Sequence, residues 1–268
     1  PELQKWKLEI SNKPLSITMK QNIYRDFSAM LNYAVRMEYI SKNPLRNIGN
    51  FKDVSFTNKT NNLQYYTPDE FKVYIKTAKE MCKTLSDWCY FTFFVMAYYT
   101  GMRKGEINAL KWSDIEGDII HVRRSIAQKL KGQNFIETPP KNKSSIRDIQ
   151  APEPLLKVLV EHKNRQSKME GFSHDFRVCG GISPLCDSSI DNRNRAIAKQ
   201  AGLHRIRIHD FRHSHASLLA NEGINIQEIA RRLGHSKIEI TWNIYSHLYP
   251  REEERAVNVL NKVLFDID

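Results

Sequence analysis

Cysteine is scarce: Cys82, Cys89, Cys179 and Cys186 are the only four in 268 residues. None stands in a C-x-x-C pair, and in a chain of this size they read as reduced thiols of a cytoplasmic protein. Long apolar runs are also lacking. The longest, Trp88 to Tyr99, is interrupted by Thr92 and is too short to span a bilayer, so no membrane partner is expected. There is no signal-peptide pattern. Residue 1 is Pro rather than Met, so the chain reads as a fragment, with any upstream targeting signal beyond it. Repeats and low-complexity segments are absent, and so is the cluster of Asp and Glu that a two-metal nuclease uses.

What is present in excess is positive charge. Forty-one Lys and Arg against thirty Asp and Glu leave a net charge of +11. Such a surplus favours a polyanionic partner, whether DNA, RNA or an acidic membrane surface, and says nothing about catalysis.

The chain divides by composition. Ile23, Phe27, Met30, Leu31, Ala34 and Val35 recur at three- and four-residue steps, which predicts an amphipathic helix from Ser16 to Tyr39. It stops before Asn43-Pro44, because proline disfavours helical geometry in the residue before it. Residues 1–66 carry a surplus of +5. The polar, Asn-rich stretch 51–64 marks a break, so residues 1–55 are taken as one helical domain, 56–66 as a linker and 67–268 as a second domain with a tail at 251–268.

The second domain opens at Thr67-Pro68-Asp69-Glu70, with the spacing of a capping box and Pro at the first helical position. A strongly apolar helix over Trp88–Tyr99 is broken by Gly101, and a short helix carries Arg103 to Leu110. Residues 118–150 hold β-rich runs, Ile119–Val122 and Ser145–Ile149, around the turn-prone Lys131-Gly132 and Pro139-Pro140, which predicts a small antiparallel sheet. Helices resume near Pro152. The expected fold is mainly α with a small antiparallel β-sheet.

Four segments carry chemistry. In T-G-M-R-K-G-E (100–106), Arg103 and Glu106 stand three apart, so on a helix the carboxylate can hold the guanidinium fork ready for a phosphate; an ordinary surface ion pair is the bland alternative. In H-D-F-R-H-S-H (209–215), helical spacing clusters His209, Arg212 and His213 on one face, with Phe211 and Leu218 nearly opposite. His209 and His213 have the spacing of a zinc pair. The Glu of H-E-x-x-H is missing, however, and cationic Arg212 is a poor neighbour for a metal, so no metal is expected. The third segment, L-G-H-S-K-I-E-I-T-W-N-I-Y-S-H (233–247), contains His235 and Tyr245. The fourth, P-P-K-N-K-S-S-I-R (139–147), is a basic stretch at a β-turn.

Each segment alone is weak. Their order resembles the tyrosine recombinase (phage integrase) family, whose motif is T-G-x-R-x-x-E, a hairpin Lys, H-x-x-R, L-G-H-S and a Tyr shortly before the C-terminus. Here these are Arg103, Lys141, His209 with Arg212, His235, and Tyr245, over a span from about Thr67 to His247. The spacing of His235 and Tyr245 is similar to that in integrases of conjugative transposons and Gram-positive prophages. Lys141 fits the family's hairpin pattern best, with Lys143 as a rival.

The resemblance implies the tyrosine-recombinase catalytic fold, preceded by a small all-helical core-DNA-binding domain, with an arm-site-binding domain expected before Pro1. It implies a site-specific recombinase that cleaves and rejoins DNA through a 3′-phosphotyrosine intermediate to integrate and excise a mobile element, in a bacterial cytoplasm and on the nucleoid. An Xer-like chromosome resolvase, a type IB topoisomerase and a catalytically inactive DNA-binding regulator are the alternatives.

The expected roles follow from phosphoryl chemistry. Arg103 and Arg212 neutralise charge on the equatorial oxygens, His235 adds a hydrogen bond to the same phosphate, and Glu106 supports Arg103. His209 accepts the Tyr245 proton, and Lys141 protonates the leaving 5′ oxygen. Trp242 is expected as a core residue positioning its helix, and Tyr249 is the rival nucleophile. No cofactor is needed, because the bond energy stays in the protein–DNA ester. The expected partners are att-type core sites in duplex DNA, three further copies of the chain in a tetramer, and accessory DNA-bending or excision factors. The acidic tail, with Val257, Leu260, Val263 and Leu264 at helical spacing, is expected to dock on an adjacent subunit.

Overall fold

In a computed structural model of the chain, which describes residues 2–52, 64–127, 135–139, 143–249, 257 and 260, contacts fall into two units, Pro1–Thr60 and Asn61–Asp268. In the first, α1 (Glu2–Asn12) precedes α2 (Ile17–Arg36), and Ser16 caps α2 by accepting a bond from the Met19 amide. Only the second of these helices is anticipated above. Trp6 of α1 meets Phe27 of α2 edge-on at 4.9 Å, and Phe51 packs against Trp6 and Tyr24. Ile23, Phe27, Leu31, Ala34 and Val35 are half-buried, whereas Met30, at the margin of the stripe, is 58% exposed.

The first helix of the second unit starts where the capping box predicts. Thr67 and Glu70 exchange side-chain and backbone bonds at the head of α3 (Pro68–Glu80). A second box, Thr84 with Asp87, starts α4 (Leu85–Thr100) one turn earlier than the apolar run suggests. This helix is apolar nearly all round and runs through the core, packing against α3 and three later helices. Gly101 ends it at φ +62°, where a Cβ would stand 2.7 Å from His215 and 2.8 Å from Leu233, so the position needs glycine twice over.

A short α5 (Lys104–Ala109) leads to β1 (Ile115–Glu116), β2 (Ile119–Val122), β3 (Ser125–Ala127), β4 (Ile136–Thr138) and β5 (Arg147–Gln150). The order β1-β2-β5 forms the expected antiparallel sheet, with Ile120 opposite Ile149 and Val122 opposite Arg147. Strands β3 and β4 pair separately as a two-stranded ribbon lying on α5. Lys131, Gly132 and Pro140 lie outside the described residues. The rest is helical: α6 (Glu153–Gln166), α7 (Asp187–Gln200), α8 (Asp210–Asn221), α9 (Ile226–Leu233) and α10 (Ile238–Tyr245). Among the described residues no helix is long and apolar enough to cross a membrane.

Two clusters position the residues of interest. Tyr66, Phe71, Tyr74, Phe94, Tyr98 and Phe211 stack into one aromatic block, with Phe211 at 5.3 Å from Tyr74 and 5.5 Å from Phe94. Fully burying a ring of this kind stabilises by about 1.5–3 kcal/mol, so Phe211 pins the start of α8 firmly. Ala216, Ala220, Ile229, Leu233 and Tyr245 form a smaller cluster that holds α8, α9 and α10 together.

Candidate active site

Arg103 sits at the head of α5. Its backbone amide donates to Glu106 Oε2 at 2.9 Å and its Nη1 donates to Oε1 at 2.8 Å, so the carboxylate fixes backbone and side chain at once. Nη2 reaches the Gly234 carbonyl at 3.3 Å. The pairing expected from the spacing is present, and it goes further. Glu106 is buried, and on its other side it accepts from Arg147 Nη2 at 2.8 Å and Nη1 at 3.3 Å. These two guanidinium groups outweigh burial and hold the carboxyl below its usual range, so Glu106 is an anion. Arg147 is 6% exposed and also donates to the carbonyls of Arg232 and Ser145.

Arg147 closes the basic stretch 139–147 but has no role assigned to it there, although its signal is present. On β5 the burial alternates, and Arg147 shares the inward face with Ile149. A charged residue on the inward face of a strand needs a buried partner, and that partner is Glu106. Arg232 is a second unforeseen support. It donates to the Tyr99 and Gln150 carbonyls and, through Nε at 3.1 Å, to His215 Nε2. The ring's other nitrogen donates to the Tyr98 carbonyl at 2.8 Å, which makes His215 a neutral imidazole protonated at Nδ1.

Helix α8 differs from expectation in one respect. It buries Phe211, and it buries Arg212 too, at 3% exposed, because α4 and α9 pack on its flanks. Arg212 Nη1 donates to the Gly101 carbonyl at 2.8 Å, while Nη2 is buried with no hydrogen-bond partner among the described residues. Burial and the nearby charge of Arg103 pull this guanidinium down to about 9, which leaves it cationic at neutral pH. His209 opens the helix; burial and then Arg212 lower it, so it is largely a neutral base.

The remaining residues come from the end of α9 and from α10. Gly234 stops α9 at φ +69°, and its Cβ position falls 3.0 Å from Arg147 Nη1, so the turn lies flat on that side chain. His235 follows, with Nδ1 2.8 Å from the hydroxyl of buried Thr241, and burial together with Arg212 and Arg103 pulls it down to about 4. One turn beyond Thr241, Tyr245 is 1% exposed, and its hydroxyl lies 2.6 Å from His213 Nδ1. His209, the expected proton acceptor, stacks edge-on against that same His213 at 5.1 Å between ring centroids. Burial raises the Tyr245 hydroxyl well above its ordinary range, with Arg212 opposing.

Trp242 needs correction. It is 53% exposed, because Thr241 and Tyr245, four apart, form the inward face and Trp242 projects outward from it. The rival nucleophile Tyr249 has its hydroxyl on the Ile224 carbonyl at 2.6 Å. Lys141 lies outside the described residues; Lys143 begins a short turn, Lys143–Ser145. Beside Arg103 and His209 a cleft of about 600 Å³ opens under the ribbon, with Arg124, Ser125 and Thr138 on its wall.

Buried neutral histidines carry a pH cost. Burial pushes His162 down to about 4 and His215 to about 3, against an unfolded value near 6.5. As pH falls below about 6.5 the unfolded chain takes up protons that the folded one refuses. Stability should therefore drop by up to about 1.4 kcal/mol per pH unit for each such residue. The urea midpoint should be steady from pH 8 to 7 and fall between pH 6.5 and 5; a flat profile to pH 5 would contradict the neutral assignment.

Three comparisons converge on one family. The chain is 31% identical over 98% of its length to the ICEBs1 integrase of Bacillus subtilis, of which it covers 70%. It is 32% identical over 86% of its length to a XerC-like tyrosine recombinase of Caldanaerobacter subterraneus, and covers 62% of that protein. Its fold superposes on the Tn1549 transposon integrase, solved with a circular intermediate DNA, at a TM-score of 0.71 and 20% identity, over 97% of this chain and 84% of that one. The phage integrase family model matches residues 64–252, a stretch that holds Arg103, Glu106, His209, Arg212, His235 and Tyr245, and the chain therefore belongs to the phage integrase family of tyrosine recombinases.

Proposed function

We propose that this chain performs site-specific recombination by a phosphotyrosine route, with Arg103, Arg212 and His235 binding the scissile phosphate and Tyr245 attacking it. The observation that carries the residue assignment is Arg212. A buried guanidinium with one nitrogen unpartnered, beside Arg103, His209 and His235, suits an anion with several oxygens. Attack at phosphorus joins the Tyr245 oxygen to the 3′ side and releases the 5′ oxygen. The hairpin lysine, Lys141 or Lys143, would donate the leaving-group proton. In this reading no metal is required. Trapping on a duplex nicked beside the core site should yield an SDS-stable adduct in excess EDTA. Adduct formation that stops with EDTA and returns with Mg²⁺ would sink the reading.

The biological setting is integration and excision of a mobile element in the bacterial cytoplasm, supported by the integrase relatives. Duplex DNA is the substrate, with four copies of the chain on two duplexes, and accessory DNA-bending or excision factors would set direction. Residues 1–55 would act as the core-DNA-binding domain and 67–268 as the catalytic domain, their charges of +4 and +6 gripping one duplex together. Val257 and Leu260 are helical and 49% and 68% exposed, which suits a tail that docks on a neighbouring subunit; Val263 and Leu264 lie outside the described residues. Truncations separate these roles. Residues 67–268 alone should bind core-site DNA at least about tenfold more weakly than the whole chain. Removing 252–268 should spare binding and weaken synapsis in a gel-shift assay. Equal affinity of the two forms would remove the clamp, and intact synapsis would remove the docking tail.

A further inference from the structure

The hydrogen bond between Tyr245 and His213 lies outside the set of residues that the sequence motif marks. We propose that His213, rather than His209, is the proton acceptor for Tyr245: the hydroxyl donates to Nδ1, and that bond aims the oxygen and removes its proton as it attacks. The inference rests on the reading of Tyr245 as nucleophile.

The geometry is direct. Oη and Nδ1 are 2.6 Å apart, within the range that proton transfer in place requires, and Tyr245 is otherwise enclosed by the apolar cluster of Ala216, Ala220, Ile229 and Leu233. Two elements fix the pair. His213 stands one residue beyond Arg212 on α8, and Tyr245 ends the inward face of α10, so nucleophile and acceptor are held by the same packing that holds the phosphate-binding arginine.

The charges around the ring agree. Facing His213 are His209, Asp210, Arg207 and Arg212; burial, with His209 second, holds it down to about 4. The free protein therefore presents a neutral imidazole with a lone pair for the hydroxyl. Bringing the anionic phosphodiester up to Arg103 and Arg212 adds negative charge beside this group and favours the imidazolium. His209 sits on the cleft side, lining the opening with Arg103, where it suits a bond to the phosphate instead.

The step balances. The Oη–P bond forms and the P–O5′ bond breaks; the Oη proton passes to His213 Nδ1, and the leaving O5′ takes its proton from the hairpin lysine. On rejoining, the 5′-hydroxyl attacks and returns its proton to the hairpin lysine while His213 gives its proton back to the departing Tyr245 oxygen, so no external reagent is consumed.

The test pairs a change in the base with a change in the nucleophile. His213→Ala and His213→Gln should each slow single-turnover cleavage at least about a hundredfold while core-site binding holds, as expected for loss of a general base. Installing 3,5-difluorotyrosine at position 245, a markedly more acidic phenol that depends less on a base to lose its proton, should shrink that penalty to less than about tenfold. His209→Ala should cost the same with either nucleophile. Three results would overturn the inference: cleavage within about threefold of wild type in His213→Ala, a His213 penalty that fluorination leaves unchanged, or a His209 penalty that fluorination removes. An adduct that survives in Tyr245→Phe overturns the nucleophile assignment and, with it, this one.

Discussion

Replacing Tyr245 by Phe should abolish the covalent adduct, with cleavage reduced by at least about a thousandfold, while affinity for core-site DNA stays within about threefold. The separation follows from where the residue sits. The ring belongs to the small cluster that joins α8, α9 and α10, and Phe fills the same volume. Only the hydroxyl is lost, and with it the bond to His213. The thermal midpoint should shift by a few degrees at most. Loss of DNA binding in this variant would mean that Tyr245 organises the fold rather than the reaction. An undiminished adduct would move the nucleophile elsewhere, with Tyr249 first to be tested.

Replacing Glu106 by Ala should damage both stability and chemistry. Glu106 is the shared anion between Arg103 and Arg147, and the Arg147 side chain is 3% exposed. Removing one partner of a buried pair leaves an uncompensated charge inside the protein, at a cost of about 3–5 kcal/mol. For a unit of this size that lowers the thermal midpoint by roughly 6–20 °C. Cleavage, measured well below that midpoint, should fall about a hundredfold or more, because Arg103 loses the bond that holds its fork and the one that fixes its backbone amide. Glu106→Gln should fall between the two, since it keeps an acceptor and drops the charge. By contrast, breaking the exposed Lys72–Asp69 pair should change stability by less than about 1 kcal/mol. A Glu106→Ala protein as stable as wild type would contradict the buried bridge.

The difference between these two residues also marks what a sequence can disclose. Arg103 with Glu106, Thr67 with Glu70, and Ser16 with Met19 are local devices. Each works through neighbours within four residues, so spacing and residue type suffice to read them. The family motif then supplies the order of distant elements, and the fold matches. What stays hidden is decided by packing between segments far apart in the chain. Arg147 meets Glu106 from 41 residues away, and Arg212 reaches the Gly101 carbonyl from 111. Helical spacing puts Arg212 on a polar face, and nothing local says that α4 and α9 close over it. Trp242 fails in the opposite direction: it reads as core by residue type and is exposed by geometry. The head of α4 is a different omission. Thr84 and Asp87 repeat the pattern of Thr67 and Glu70 with the shorter acid, and local reading reaches it. His213 is the most consequential case, since its bond to Tyr245 spans 32 residues and depends on how α10 packs against α8.

The proposed bond between Tyr245 and DNA is read out residue by residue in mass spectrometry of the trapped adduct. Cleavage in excess EDTA, followed by nuclease and trypsin digestion, should leave a nucleotide on the peptide that follows Lys237 and contains both Tyr245 and Tyr249. Fragmentation should place the modification on Tyr245. A nucleotide on Tyr249 or on any residue outside this peptide would contradict the account.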